Sequence, residues 1–246
     1  MEEIVEEKTR RLREAQRLAA IGETAAMVGH DLRNPLQAIA TIPYLVEKTL
    51  QMLPKQIEEA VRNSSLPTLM KVLQEQTLYM NKIVSDLQNY ARPIKLNLKE
   101  TNLYKMFEDI LSTVHIAENI EVSIEAARDM SAVFDPHLLR RVFINLINNA
   151  LQAMPEGGKL TISAIKNDDG VCISFQDTGV GIPEENISKI FQPSFTTKAK
   201  GQGLGLPVCK RIVEAHGGKI TVTSKLHCGS TFTVHIPFKK EVKQDE

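Results

Sequence analysis

The sequence predicts an all-helical first half followed by an α+β second half, and three observations carry that expectation. Apolar residues recur at heptad spacing from the start of the chain. The character changes around Arg92-Pro93. Beyond that point, short runs with apolar side chains at alternate positions are interleaved with helical stripes. We therefore expect two domains, 1–93 and 94–246, the first helical and the second a layer of helices on a mostly antiparallel sheet.

Val5, Leu12, Ala19 and Ala26 repeat every seven residues, and Leu18, Ala25 and Leu32 repeat one position earlier. That spacing makes the seam of a coiled coil or helical bundle, with charges filling the positions between. The pattern runs to Leu53, where Pro54 and the polar stretch to Ser65 predict a connection. A second helix follows, with Pro67 in its first turn, where a missing N–H is tolerated. Its stripe is Leu69, Leu73, Met80, Val84 and Leu87. Two long helices cannot bury such stripes alone. Pairing of two chains into an antiparallel four-helix bundle is the expected solution.

In the second half, Leu103, Met106, Phe107, Ile110 and Val114 mark a helix, 119–125 a strand and 136–154 a long helix. Residues 160–165 and 171–175 alternate with period two around Asn167-Asp168-Asp169-Gly170, a hairpin signal. Residues 220–223 and 231–236 form a second pair around Cys228-Gly229.

Composition excludes more than it suggests. Lys plus Arg and Asp plus Glu are equal at 30 each, so charge recommends neither nucleic acid nor an anionic membrane as partner. No apolar run reaches the roughly 18 residues of a membrane span, and the charged N-terminus is no signal peptide. Cys172, Cys209 and Cys228 form no CxxC or Cys/His cluster and read as the reduced thiols of a cytoplasmic protein.

The chemistry concentrates in two glycine-rich segments. Residues 177–183 place the Asp177 carboxylate beside Gly179 and Gly181 on a tight turn. Residues 201–206, with Gly201, Gly203, Leu204 and Gly205, run directly into a helical stretch. A carboxylate there can read a purine edge, while backbone N–H groups meet phosphates. Either segment alone is an ordinary turn; their order and neighbours point to a nucleotide pocket.

Asn145 and Asn149 sit one turn apart on an otherwise apolar helix, an arrangement that asks for a reason because asparagine is a poor helix former. Their amide oxygens suit Mg²⁺ brought in by nucleotide phosphates, and Asn148 reads as polar glue between helix and sheet. Phe191-Gln-Pro-Ser-Phe195, followed by Thr196, Thr197 and Lys198, suits a lid over phosphates. Lys198 is better placed to touch them than Lys200, which is as readily a surface lysine.

In the helical half, His30 falls on the flank of the seam, where a side chain reaches solvent. Its neutral ring nitrogen is a nucleophile near pH 7, and Asp31 beside it can fix the tautomer. A lone surface histidine is usually nothing, and His115, His137, His216, His227 and His235 read that way. Pro35 and Pro43 each remove a helical hydrogen bond at a cost of roughly 3 kcal/mol, which predicts a bend just after His30.

In this order the segments resemble a sensor histidine kinase of the two-component systems, over nearly the whole chain. His30–Leu36 is similar to the phosphoacceptor box and Asn145–Ala150 to the asparagine box. Residues 177–181, 191–195 and 201–206 are similar to the first glycine, phenylalanine and second glycine boxes, and Gly229-Ser-Thr231 to the element that closes the fold. Residues 149–155 and 196–198 resemble a nitrogen-regulatory subgroup.

The resemblance implies a homodimeric bundle carrying the histidine and an ATP-binding α/β sandwich of the gyrase and heat-shock chaperone type. It also implies ATP and Mg²⁺ as cofactors and the receiver domain of a response regulator as partner, whose aspartate takes the phosphoryl group from His30. By carry-over, Asp31 is the base, Asn34 the water-orienting residue of a reverse phosphatase activity, Asn149 the principal Mg²⁺ ligand and Asn145 its helper. Asp177 contacts the adenine amino group, and Thr231 joins the nucleotide site.

Two positions depart from the pattern. Ser194 stands where relatives often place a second phenylalanine, and Gln152 and Ala153 replace a Lys–Tyr pair, leaving Lys198 to supply charge near the phosphates.

Chaperone-type ATPases of this superfold carry a glutamate base one turn before the Mg²⁺ asparagine. Here that position is Asn145, which cannot deprotonate water, so transfer to a protein nucleophile fits better than hydrolysis. Two rivals remain: a nucleotide-gated scaffold that signals by helix bending, and a protein acting mainly as a phosphatase on its regulator. Localisation is expected to be cytoplasmic, an expectation that also holds for a parent anchored in a membrane through a sensor region outside this chain.

Overall fold

The computed structural model describes residues 32–91, 94–193, 195–197 and 203–238. The chain divides into two compact units, Met1–Pro93 and Ile94–Glu246. The seam positions from Val5 to Ala26 lie outside the described residues, and so does the side chain of Leu87.

In the first unit, helix α1 is described over 32–50, α2 spans Lys55–Arg62 and α3 spans Leu66–Ala91. Helix α1 runs on through Pro35 and Pro43. Leu36 and Leu50, two heptads apart, are buried on it. On α3, Val84 and Thr77 are buried, and the Thr77 hydroxyl is satisfied by the Leu73 carbonyl at 2.8 Å. Leu69 and Met80 of the expected stripe are exposed.

The stretch expected to be a plain connection contains α2. Its polarity concealed good helix formers, and Pro54 sits at the N-cap, where proline does no harm. Arg62 fastens this helix, donating to Glu58 at 3.0 Å and to Glu47 of α1 at 2.8 Å.

The second unit is a two-layer sandwich. Strands β2 (Ile120–Glu125), β4 (Gly158–Lys166), β5 (Gly170–Asp177), β6 (Lys219–Lys225) and β7 (Gly229–Pro237) form a sheet ordered β2-β4-β5-β7-β6. The β2–β4 pair is parallel and the other pairs antiparallel. Strands β1 (Lys99–Asn102) and β3 (Ser131–Phe134) make a separate antiparallel pair that the alternation did not reveal, because each is only four residues long. Helices α4 (Leu103–Leu111), α5 (Pro136–Ala153) and α7 (Gly205–Ala215) are the main helical layer, and α6 (Glu184–Ile187) is a single turn. Val114 falls beyond α4, in the turn that follows it.

The core follows from two periodicities meeting. Helix α5 buries Leu139, Val142, Phe143, Leu146, Ile147 and Ala150, a stripe of helical spacing. The sheet offers Leu160, Ile162 and Ala164 from β4, and Val171, Ile173 and Phe175 from β5, at every second position. Phe143 lies 5.5 Å from both Phe107 of α4 and Phe175, centroid to centroid, knitting helix to helix and helix to sheet. Among the described residues no helix is long and apolar enough to cross a membrane.

Candidate functional site

Strand parity decides what Asp177 faces. It ends β5 in phase with buried Val171, Ile173 and Phe175, so it belongs to the face that carries the helices. Ser230 of β7 stands directly opposite and is buried too. The Ser230 N–H donates to Asp177 Oδ1 at 3.2 Å, and the Gly179 N–H donates to the same oxygen at 2.9 Å. Both donors occupy one oxygen, which leaves Oδ2 to accept from a ligand. Burial pushes the carboxyl above its ordinary value, and the two backbone donors pull it back only in part.

Thr231 sits on the other face. It is out of phase with Ser230, Phe232, Val234 and Ile236, all buried toward the helices, so Thr231 is turned away from Asp177. Ser230, not Thr231, stands beside the Asp177 carboxylate. The signal was available: Ser230 shares its parity with the apolar residues of its strand, and Thr231 does not.

A second serine was missed altogether. Ser224 of β6 donates to the Gly229 carbonyl at 2.8 Å and accepts the Ile182 N–H at 2.8 Å. Its hydroxyl also lies 3.0 Å from that of Ser230. Its one proton is already given, so Ser230 is the donor in that contact. The turn carrying Gly179 and Gly181 is thereby tied to the β6–β7 hairpin. Gly181 has φ +69° and passes so close to the Lys225 carbonyl that a Cβ would collide with it.

Asn145 and Asn149 are both half-buried on α5. Gly205 opens α7 against the first of them, where a Cβ would stand 2.5 Å from Asn145 Oδ1. The Asn145 Nδ2 donates to Cys209 Sγ at 3.2 Å, one turn into α7, and the thiol reaches the Val142 carbonyl at 3.9 Å. Cys209 is therefore more than a bystander thiol: it turns Asn145 Oδ1 toward the start of α7. Burial pushes its own pKa up to about 12, so it stays a neutral thiol.

Helix α7 begins at Gly205 behind Leu204, with no side chain capping it. Pro207 in its first turn has no N–H to satisfy. Gly203, with φ +65°, leads into this end, whose first backbone N–H groups suit an anion. The far end of α7 is held as well. The His216 Nε2 accepts the Asp135 N–H at 3.0 Å, and its Nδ1 lies 2.7 Å from the Ile212 carbonyl. Asp135 is the N-cap of α5. Its Oδ1 accepts the His137 and Leu138 N–H groups at 3.0 Å each, and its Oδ2 accepts the Asn97 N–H at 2.8 Å. Burial alone would raise this carboxyl, but the three backbone donors together lower it.

Asn34 is exposed on α1. His30, Asp31, Lys198, Lys200, Gly201 and Ser194 lie outside the described residues.

Residues 134–240 match the family of histidine kinase-, DNA gyrase B- and HSP90-like ATPases. The catalytic domain of the histidine kinase ThkA is 35% identical, with a TM-score of 0.52, and the match covers 57% of this chain and 95% of that one. The chain belongs to the histidine kinases. Sporulation kinase C of Bacillus subtilis (strain 168) is 31% identical over 245 residues, 98% of this chain and 54% of the relative. ThkA in complex with the response regulator protein TrrA is 29% identical, with a TM-score of 0.63, covering 96% of this chain and 67% of that one. The chain spans about half the length of the curated relatives it matches. The matched residues 134–240 fall within the α/β unit.

Proposed function

We propose that the protein phosphorylates His30 with ATP and passes the phosphoryl group to an aspartate on the receiver domain of a response regulator. One observation carries the reading: a buried carboxylate with one oxygen held and the other open stands in the same unit as an uncapped helix N-terminus packed against Asn145. Asp177 Oδ2 suits the amino group of adenine. The first turn of α7 suits the phosphates.

Among the described residues no cluster of His, Cys, Asp or Glu is placed to hold a metal ion. Mg²⁺ would depend on the amide oxygens of Asn149 and Asn145 together with phosphate oxygens of the nucleotide, and it would neutralise charge developing there. Asn145 offers an amide where a hydrolase needs a base, which favours transfer to a side chain over transfer to water. At His30 the neutral ring nitrogen forms the bond to phosphorus as the bond to the ADP oxygen breaks. Asp31 takes the proton that the ring sheds.

The unit division at Pro93/Ile94 fits a dimerisation and phosphotransfer domain followed by a catalytic domain. The exposed apolar residues of α1 and α3 support a homodimeric bundle, and a receiver-domain partner would place this region in the cytoplasm. The nitrogen-regulatory subgroup rests on the motifs at 149–155 and 196–198.

Incubation with γ-labelled ATP tests the reading. We expect an acid-labile, alkali-stable label that disappears in His30→Gln, and transfer of that label to a receiver domain. An unlabelled wild type that still binds ATP means a scaffold instead. The exposure of Asn34 on α1 favours an added phosphatase activity. Asn34→Ala should remove that activity while sparing the label on His30.

A further inference from the structure

His216 reads in the sequence as a residue before a helix stop. The structure gives it a larger part. Helices α5 and α7 are joined at two places along their seam. At one, Asn145 meets Gly205 and Cys209. At the other, His216 closes the C-terminus of α7 onto the N-terminus of α5.

The two nitrogens of the ring do different work. Nδ1 lies against the Ile212 carbonyl of its own helix, and a carbonyl only accepts, so Nδ1 carries the proton. Nε2 is then a lone pair, and it receives the Asp135 N–H. Without it, that N–H has no other partner among the described hydrogen bonds, and a buried amide left unpaired is costly. The same Asp135 fastens α5 and the Asn97 backbone.

We propose that His216 is a positioning residue for phosphate binding. Through Nε2 it fixes α7 along α5, and so sets the phosphate-facing first turn of α7 in register with Asn145 and Asn149. The adenine end of the pocket is built separately, from Asp177, Gly179, Ser224 and Ser230, and none of these is tied to His216. Loss of His216 therefore weakens what the phosphates contribute and leaves what the base contributes. The inference rests on the nucleotide-site reading above.

The experiment measures adenosine and AMPPNP binding by calorimetry on the full chain. The wild type is compared with His216→Gln, His216→Asn and His216→Ala. Glutamine places its amide oxygen where Nε2 stands and can accept the Asp135 N–H, whereas asparagine reaches only the Nδ1 position. We expect AMPPNP affinity to fall about tenfold in the Asn and Ala variants, equivalent to about 1.4 kcal/mol, with Gln within about twofold of wild type. Adenosine affinity should be unchanged throughout, which also shows that each variant is folded. Equal losses for both ligands, AMPPNP binding equal to wild type in all variants, or failure of Gln to rescue would each overturn the proposal. A wild type that binds neither ligand would instead remove the nucleotide site itself.

Discussion

The two units solve the same burial problem differently. The α/β unit closes on itself: Phe107, Phe143 and Phe175 are wholly or nearly wholly buried, and among its described residues the exposed large apolar ones, Val133, Ile165, Val180 and Leu226, are few. Among its described residues, the helical unit buries only Leu36, Leu50, Thr77 and Val84. Ile42, Leu45 and Met52 lie exposed on and just beyond α1, and Leu69, Val72 and Met80 on α3. On α1, positions 42 and 45 keep helical spacing but fall on a different side from buried Leu36 and Leu50. A second apolar stripe beside a buried one is what a helix needs to face two neighbours at once. One unit is stable by composition, and the other asks for company.

The largest expected effect tests the self-sufficient half. Phe143→Ala should cost the α/β unit about 3–5 kcal/mol, since it removes the ring shared by helix and sheet. In calorimetry on the whole chain the transition of that unit should drop, while the helical transition stays in place. A fall in both transitions would mean that the units stabilise each other and the contrast is wrong.

Next comes the dependent half. Leu45→Glu together with Leu69→Glu should raise the dissociation constant of the proposed dimer by well over tenfold, because burying a leucine is worth about 1.5–3 kcal/mol. Sedimentation equilibrium should show monomers, with AMPPNP binding unaffected. An unchanged dimer would place the contact on another face of α1 and α3, and a monomeric wild type would overturn the proposed dimer itself.

How much was legible follows the same division. In the α/β unit, the core of α5 and the β4–β5 hairpin could be read directly, because long periodic segments and an Asn-Asp-Asp-Gly turn carry their own signals. Asp177 stands out in the sequence as a carboxylate beside two glycines, and the structure buries it at the end of β5. The Gly-Ser-Thr motif alone does not tell Ser230 from Thr231; strand parity counted from Phe232 and Val234 puts Ser230 on the face of Asp177 and Thr231 on the other. Cys209 and His216 were invisible as partners, since each acts on an element far away in sequence, Asn145 and Asp135 respectively. In the helical unit, α2 was lost to its polarity, although the Arg62 pairs with Glu58 and Glu47 show that polar residues can fasten a short helix.

The smallest effect is a pair of opposed pH responses inside the α/β unit. The folded-state pKa of Asp135 is lowered by its three backbone donors. It therefore adds stability above its unfolded value, and that stability is lost as pH falls through the lower, folded value. Asp177 behaves the other way. Its folded-state pKa is raised by burial, so the fold favours its neutral form, and the associated stability is lost as pH rises through the folded value. Asp135→Asn should blunt the acid loss of stability and cost on the order of 1 kcal/mol near neutrality, because Asn caps a helix but cannot accept all three N–H groups. Asp177→Asn should leave acid stability in place and weaken adenosine binding most above the pKa of the wild-type carboxylate, where the charged oxygen is lost as an acceptor. Thermal melts across acidic pH, run alongside adenosine titrations, separate the two carboxylates. A single shared response would mean that the cap of α5 and the base pocket behave as one site, which their separate hydrogen-bond partners argue against.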